Sequence, residues 1–373
     1  MGQKARELNI EALRGVLMFM VVMLHVIGIN ILSNTDPVNP SNPNFYIANL
    51  IESICVMAVD CYVLISGFFG IRSNIYKYFK FVLPIAFYSL AIYIVYVFCG
   101  NGFSIGLFFN AVFPVLSNHY WFVTSYVILF LISPLLNACI DRLSTPQLLK
   151  VLLVGVLFFV LVPTFSWFSL THNRGFGIVN FVLLYFIGAF IRRLNLKNYN
   201  CPPLNYLAST QTIQKYIGIF VVAVLIIYVG NIVQGIVFHN LGWKTHMNGY
   251  DNLFVYIAAI SFFLIFKNLK INWQLVGRLS PSFFYVYIIH ENAYVRDWVY
   301  KALRCEDYYD SDLWVVHAFG CGILIFCGCL LIDVIRRKTL GKLFDKLSEF
   351  LSEIAGRAID AAEYKVLKQT KSA

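Results

Sequence analysis

"LRGVLMFMVVMLHV", residues 13–26, is an apolar run with an arginine at its head and a histidine near its end. Arg14 and His25 stand eleven residues apart. On an α-helix that spacing is about three full turns, so the two side chains share one face, about 16 Å apart along the axis. An ionisable group inside a membrane helix is costly and marks function. The rest of the chain decides whether this is such a helix.

The chain has 373 residues, of which 59% are hydrophobic and 13% charged, and its mean hydropathy is +0.71. Soluble domains carry about 25% charged residues. These values exclude an ordinary soluble domain and predict a polytopic membrane protein. The net charge of +10 does not form a nucleic-acid surface, because the basic residues recur in short clusters between apolar runs. Nine cysteines are present. The number is odd, most lie in apolar runs, and no metal-ligand spacing stands out, so they read as buried thiols and no metal is expected.

A span needs about 20 mostly apolar residues. About ten such segments are found, near 10–32, 46–71, 81–99, 119–137, 148–169, 178–191, 216–237, 250–266, 282–303 and 313–335. Residues 105–117 read as an interfacial or re-entrant piece. The first apolar run has no small-residue cleavage site after it, so it is expected to be retained as a helix. One set of connections is rich in Lys and Arg, including Lys4, Arg6, Arg72, Lys77, Lys80, Arg192, Arg193, Arg336, Arg337 and Lys338. The alternate set holds Arg174, Lys244, Lys301 and Arg304. The positive-inside rule makes the first set cytoplasmic, with both termini inside, which requires an even number of spans. The fold class expected is all-α: a membrane helix bundle over residues 8–338, followed by a cytoplasmic amphipathic tail over 339–373. In that tail Leu343, Phe344, Leu347, Leu351, Ile354 and Ala358 recur at helical spacing.

Arg14 falls near the cytoplasmic end of the first span and His25 beyond mid-membrane. Arg suits phosphate through its planar fork. His suits proton abstraction near neutral pH. In the second span Asp60 of "VDCYVLISGFFG" lies near mid-membrane, with Glu52 farther out and Ser66 at the level of Arg14. In the ninth, "YVYIIHENAY" puts His290 and Glu291 near mid-membrane. In the fourth, "NHYWFV" puts His119, Tyr120 and Trp121 on the outer side, near the depth of His25. Ionisable groups at overlapping depths on four spans predict one shared polar cavity. Each alone also reads as a satisfied helix–helix hydrogen bond, and Glu291 as a partner of Arg296.

These stretches resemble the acyltransferase three family of integral membrane O-acyltransferases. "IEALRGVLMFMVVMLHV" resembles its first-helix signature, and "VDCYVLISGFFGIR" its second-helix Asp and Ser-Gly-Phe segment. "HYWFVTSYVILFLISPLLN", "LLYFIGAFIRR" and "SFFYVYIIHE" resemble later helices, in order, over about residues 8–335. The resemblance implies transfer of an acyl group, commonly acetyl, from cytoplasmic acyl-CoA to a hydroxyl of a sugar or lipid-linked glycan. It implies catalytic roles for Arg14 and His25, with Asp60 or Glu52 orienting the imidazole. The family's basic Arg-x-x-Arg element corresponds here to "KYFK", Lys77 and Lys80, with Arg72 before it. Those residues, together with Ser66, are expected to hold acyl-CoA. Trp121, His119, His290 and Glu291 are expected to meet the acceptor. Membrane lipids surround the bundle and nucleic acid is not a partner. Many members carry an extracytoplasmic domain that is not seen in this sequence, so a partner that handles the acceptor outside is expected. The same buried His, Asp and Glu also fit a proton-coupled transporter or a glycan flippase. A non-catalytic sensor would make the first-helix pair incidental.

Overall fold

Side-chain caps fix where several of the apolar runs become helices. Asn42 accepts from the Asn44 amide at 2.9 Å, with Pro43 in the first turn. Asn74 accepts from Lys77 N at 2.7 Å, Asn252 from Phe254 N at 2.8 Å and Asn292 from Tyr294 N at 3.0 Å. Ser144 and Gln147 form a reciprocal capping box. The computed structural model describes residues 7–32, 40–166, 173–194, 213–238 and 247–370. Among these the chain is helical, with no strands.

In order, the helices are α1 (Leu8–Leu24), α2 (Pro43–Cys55), α3 (Ala58–Phe69), α4 (Ile75–Tyr96), α5 (Ile105–Val112), α6 (Trp121–Arg142) and α7 (Thr145–Val156). Then come α8 (Ile178–Arg193), α9 (Ile213–Val233), α10 (Leu253–Asn268), α11 (Gln274–His290), α12 (Ala293–Ala302) and α13 (Trp314–Thr370). Seven helical stretches among the described residues are long and apolar enough to cross a membrane, two of them joining neighbours such as α2 and α3. The shorter α8, α10 and α11 pack among them. α5 is too short to span; its neighbours Phe103, Phe113 and Leu116 are exposed, as an interfacial piece would be.

α1 is the centre. It packs against α2, α3, α10, α11 and α13, and Leu13, Leu17, Val22 and Val26 on it are fully buried. A helix apolar on every side suits that position. α3 and α8 meet backbone to backbone. A Cβ on Gly67 would lie 2.2 Å from the Tyr185 carbonyl oxygen, and one on Gly188 would lie 2.3 Å from that of Leu64. Close approach through small residues is a common packing mode in membranes.

Three expectations are corrected. Residues 282–303 do not form one helix: α11 ends at His290, and Asn292 starts α12 as its cap. An Asn side chain that satisfies a free amide outcompetes helix continuation here. The boundary at residue 339 is not a break in the helix. α13 continues unbroken through Leu340, and Phe344 packs on Phe87 of α4 at 5.5 Å while Asp345 pairs with Lys80 at 2.8 Å. Finally, α1 does not stay regular beyond Leu24. It widens into a π-helical segment over His25–Ile31, and the His25 amide is shared by the Val21 and Val22 carbonyls. The remaining tail positions show exposed Leu343, Leu347 and Ile354.

Candidate active site

The widening of α1 begins at His25, and single π turns commonly sit at functional sites. His25 Nδ1 lies 2.9 Å from His290 Nε2 and 3.1 Å from Glu291 Oε2. Both histidines are buried. His290 Nδ1 lies 2.6 Å from the Val286 carbonyl oxygen. A carbonyl oxygen only accepts, so His290 carries its N–H on Nδ1, and neutral His290 offers a lone pair at Nε2. His25 must therefore donate from Nδ1. Its own lone pair then lies on Nε2, the nitrogen a general base needs. Glu291 receives Arg296 Nη1 on its other oxygen at 2.9 Å, which holds the carboxylate toward the imidazole.

Helix ends place this cluster. Tyr120 donates to the Ile288 carbonyl at 3.0 Å and accepts from Asn292 Nδ2 at 2.7 Å. It thus holds the end of α11 from both sides of His290 and Glu291. The same three donor atoms, on His25, His290 and Glu291, lie within 4.8 Å of one another, the make-up of a metal ligand set. The 2.9 Å separation is also that of an N–H to acceptor contact and fits the tautomers above, while Glu291 Oε2 at 3.1 Å is a charge partner without a hydrogen bond.

His25 opens onto a cavity of about 410 Å³. Met18, Val21, Leu24, His25 and Gly28 line it from α1 and its π segment, and Glu52, Val56, Val59 and Tyr62 from α2, α3 and the turn between them. Trp121, Phe122, Phe176, Tyr250, Phe284, Tyr287, Asn248 and Glu291 complete it. The wall is aromatic, with few polar groups, the usual make-up of a small-molecule site. Arg14 stands one turn beyond Met18 on the same face of α1. Its side chain pairs with Glu11 at 3.2 Å, and its carbonyl accepts from the hydroxyl of cavity-lining Tyr62 at 2.5 Å. Ser66, one turn after Tyr62, contacts the Tyr126 hydroxyl at 3.1 Å.

The other expected residues divide. His290, Glu291 and Trp121 belong to the cluster or its cavity. His119 packs on Tyr120 and Tyr294 instead. Asp60 is fully buried but accepts from Asn180 at 3.2 Å, and Asn180 in turn accepts from the Tyr256 hydroxyl. The groups beside His25 Nδ1 are His290 and Glu291, not Asp60 or Glu52. Arg72 and Lys77 are exposed, with Lys77 Nζ on the Arg72 carbonyl at 2.7 Å, whereas Lys80 is held by Asp345. Tyr62, Tyr250, Tyr287 and Asn248 were not singled out by the sequence, whereas Arg296 was named there as the partner of Glu291 that it is. Only Tyr62 carried a signal, the helical spacing of 52, 56, 59 and 62.

A family model described as an acyltransferase domain matches residues 7–334. The chain belongs to the acyltransferase three family. The match takes in His25, His290, Glu291 and every residue that lines the cavity. No curated protein and no solved structure matches the chain. Membership makes it a multi-pass membrane acyltransferase, and the cavity at His25 is the described site whose groups suit that chemistry.

Proposed function

We propose that the protein moves an acyl group, acetyl in the first instance, from cytoplasmic acyl-CoA to a hydroxyl of a sugar or lipid-linked glycan. The observation that carries this reading is the fixed tautomer of His25 at the wall of the cavity. The acceptor hydroxyl gives its proton to His25 Nε2 as its oxygen attacks the thioester carbonyl. The imidazolium that forms faces His290 Nε2 and the Glu291 carboxylate, which stabilise it. The tetrahedral intermediate then collapses, the C–S bond breaks, and the departing CoA sulfur takes the proton from His25. Ester and CoA thiol are the products, and no charge is left in the cavity.

Arg14, below Met18 on the same face, lies where the donor arm would pass from the cytoplasmic side. Arg72 and Lys77, exposed like Lys80 but not paired with Asp345 as Lys80 is, stand beside that end of the bundle and suit the CoA phosphates. The basic connections argue for cytoplasmic termini, ten spans and a location in the inner membrane. The test is an assay of purified protein in lipid nanodiscs with labelled acetyl-CoA and octyl glycosides. Label on the glycoside, with release of free CoA, is the expected result. Intact acetyl-CoA with every acceptor would overturn the reading.

A further inference from the structure

The cavity has a second polar wall that proton transfer at His25 does not use. Gly28 follows His25 three residues farther along the π segment. A Cβ at Gly28 would lie 3.2 Å from Glu52 Oε1. The Glu52 carboxylate therefore rests against the first helix about one turn from His25, and both residues line the same cavity.

A directed chain of hydrogen bonds aims that carboxylate. The Ser53 hydroxyl donates to the Asn49 carbonyl at 2.7 Å, so it accepts from Asn231 Nδ2 at 3.1 Å. The same Asn231 amide donates to Asn248 Oδ1 at 2.6 Å. With its oxygen so engaged, Asn248 has its NH₂ left for the cavity that it lines together with Glu52. A carboxylate only accepts, and two oxygens offer about four sites. Even with one met by the neighbouring Asn248 amide, the others suit a ligand that donates. Beside this pole, Trp121, Phe176 and Tyr250 pack with ring centroids 4.6, 4.7 and 5.7 Å apart. They present apolar faces to whatever the carboxylate holds.

We infer that Glu52 orients the acceptor: it accepts a hydrogen bond from a hydroxyl neighbouring the one that His25 deprotonates. The acceptor is then a ring with at least two free hydroxyls, and the Glu52-to-His25 spacing selects which one is acylated. This rests on the acyl-transfer reading. Glu52 touches substrate but takes no proton in the reaction.

The test compares octyl β-glucoside, below its micellar concentration, with 1-octanol as acceptors of acetyl from acetyl-CoA, in nanodiscs. Glu52→Gln keeps the shape and converts one acceptor oxygen to a donor. The ratio of kcat/KM for glucoside over octanol should fall about tenfold or more, the scale of one hydrogen bond to a charged group. The wild type should acetylate one ring hydroxyl, and Glu52→Gln should spread the product over several. Glu52→Asp, which keeps the charge, should fall between them. An unchanged ratio and product pattern in Glu52→Gln overturns the inference, as does a wild type indifferent to the two alcohols. Binding is read separately, by glucoside quenching of tryptophan fluorescence without acetyl-CoA. Saturable quenching that weakens about tenfold in Glu52→Gln supports the acceptor pole even if no acetyl moves, in which case only the acyl-transfer reading falls. Equal quenching in both proteins overturns the pole. Thermal melting confirms that each variant is folded.

Discussion

His25 Nδ1 donates to His290 Nε2 at 2.9 Å, and the Val286 carbonyl leaves His290 no other neutral tautomer. One backbone oxygen on α11 thereby decides which nitrogen of a histidine on α1 is basic. Glu291 Oε2 stands 3.1 Å from the same Nδ1 as a charge partner, without a hydrogen bond to it.

One hydrogen-bond acceptor, with a charge partner near enough to take its place, makes the losses unequal. His290→Ala leaves Glu291 to orient the ring, so kcat should fall only about tenfold. Glu291→Gln removes the charge that stabilises the imidazolium and should fall further. The double variant should cost less than the product of the two, because both act through His25. Acyl-CoA consumption by the three proteins measures this; strictly multiplicative losses would separate the two residues.

Gly67 and Gly188 set the contact of α3 with α8. A Cβ at either would enter the partner's backbone at 2.2 or 2.3 Å, where no side chain can move aside. Gly67→Ala or Gly188→Ala should therefore destabilise by about 1–3 kcal/mol, the usual cost of overpacking. Melting in detergent checks this, and an unchanged midpoint would show that the helices part freely. Gly341→Ala, with nothing near its Cβ, is the control.

At the basic end of α4, Lys80 is already paired with Asp345 at 2.8 Å, while Arg72 is exposed. Arg72→Ala should raise KM for acyl-CoA several-fold with kcat nearly kept, the pattern of lost ground-state binding. Lys80→Ala should change KM little, and Asp345→Ala should lower it by releasing Lys80. Initial-rate kinetics over acyl-CoA concentration distinguishes these; equal effects of Arg72→Ala and Lys80→Ala would count against the assignment.

The helices were legible because apolar periodicity and length identify spans without tertiary knowledge. Depth along a helix follows from residue count, so the shared level of His25, His290 and Glu291 was legible too, but their contact was not: His290 and Glu291 were expected to meet the acceptor, and Asp60 or Glu52 to orient His25. Asp60 was misjudged as a partner of His25 because depth does not give direction around the helix: its side chain turns to Asn180. The π segment at His25 also shifts the side chains that follow it, and no residue type announces it. Asn292 is different. Its capping role was present in "HENAY" and was obscured by the apolar residues on either side. The Lys80–Asp345 pair joins positions far apart in sequence, which no local pattern announces.

The His25, His290 and Glu291 atoms also have metal-ligand composition, and the two arrangements respond oppositely to chelation. If the contacts are hydrogen bonds, protein dialysed against EDTA should keep its acyl-CoA turnover and contain less than stoichiometric zinc. Stoichiometric metal lost together with activity would replace the hydrogen-bonded arrangement.

The decisive variant is His25→Gln. Glutamine is close in size and keeps an amide that can donate toward His290 and Glu291, so the buried contacts survive and melting should shift little. It has no basic nitrogen in place of Nε2, so it cannot take the hydroxyl proton near neutral pH. Acyl transfer should fall about 100-fold or more, the usual scale for loss of a general base. KM for acyl-CoA should stay near the wild-type value, since His25 acts on the acceptor proton and Arg14 and Arg72 lie on the donor path. Arg14→Lys separates charge from shape: it should be milder than Arg14→Ala if charge alone draws the donor, and as damaging if the planar fork is needed. A transporter would also be impaired by His25→Gln, but it would show no acetyl-CoA turnover to lose. Acetyl-CoA consumption by folded His25→Gln protein at the wild-type rate would remove His25 from the chemistry and leave its hydrogen bonds as packing.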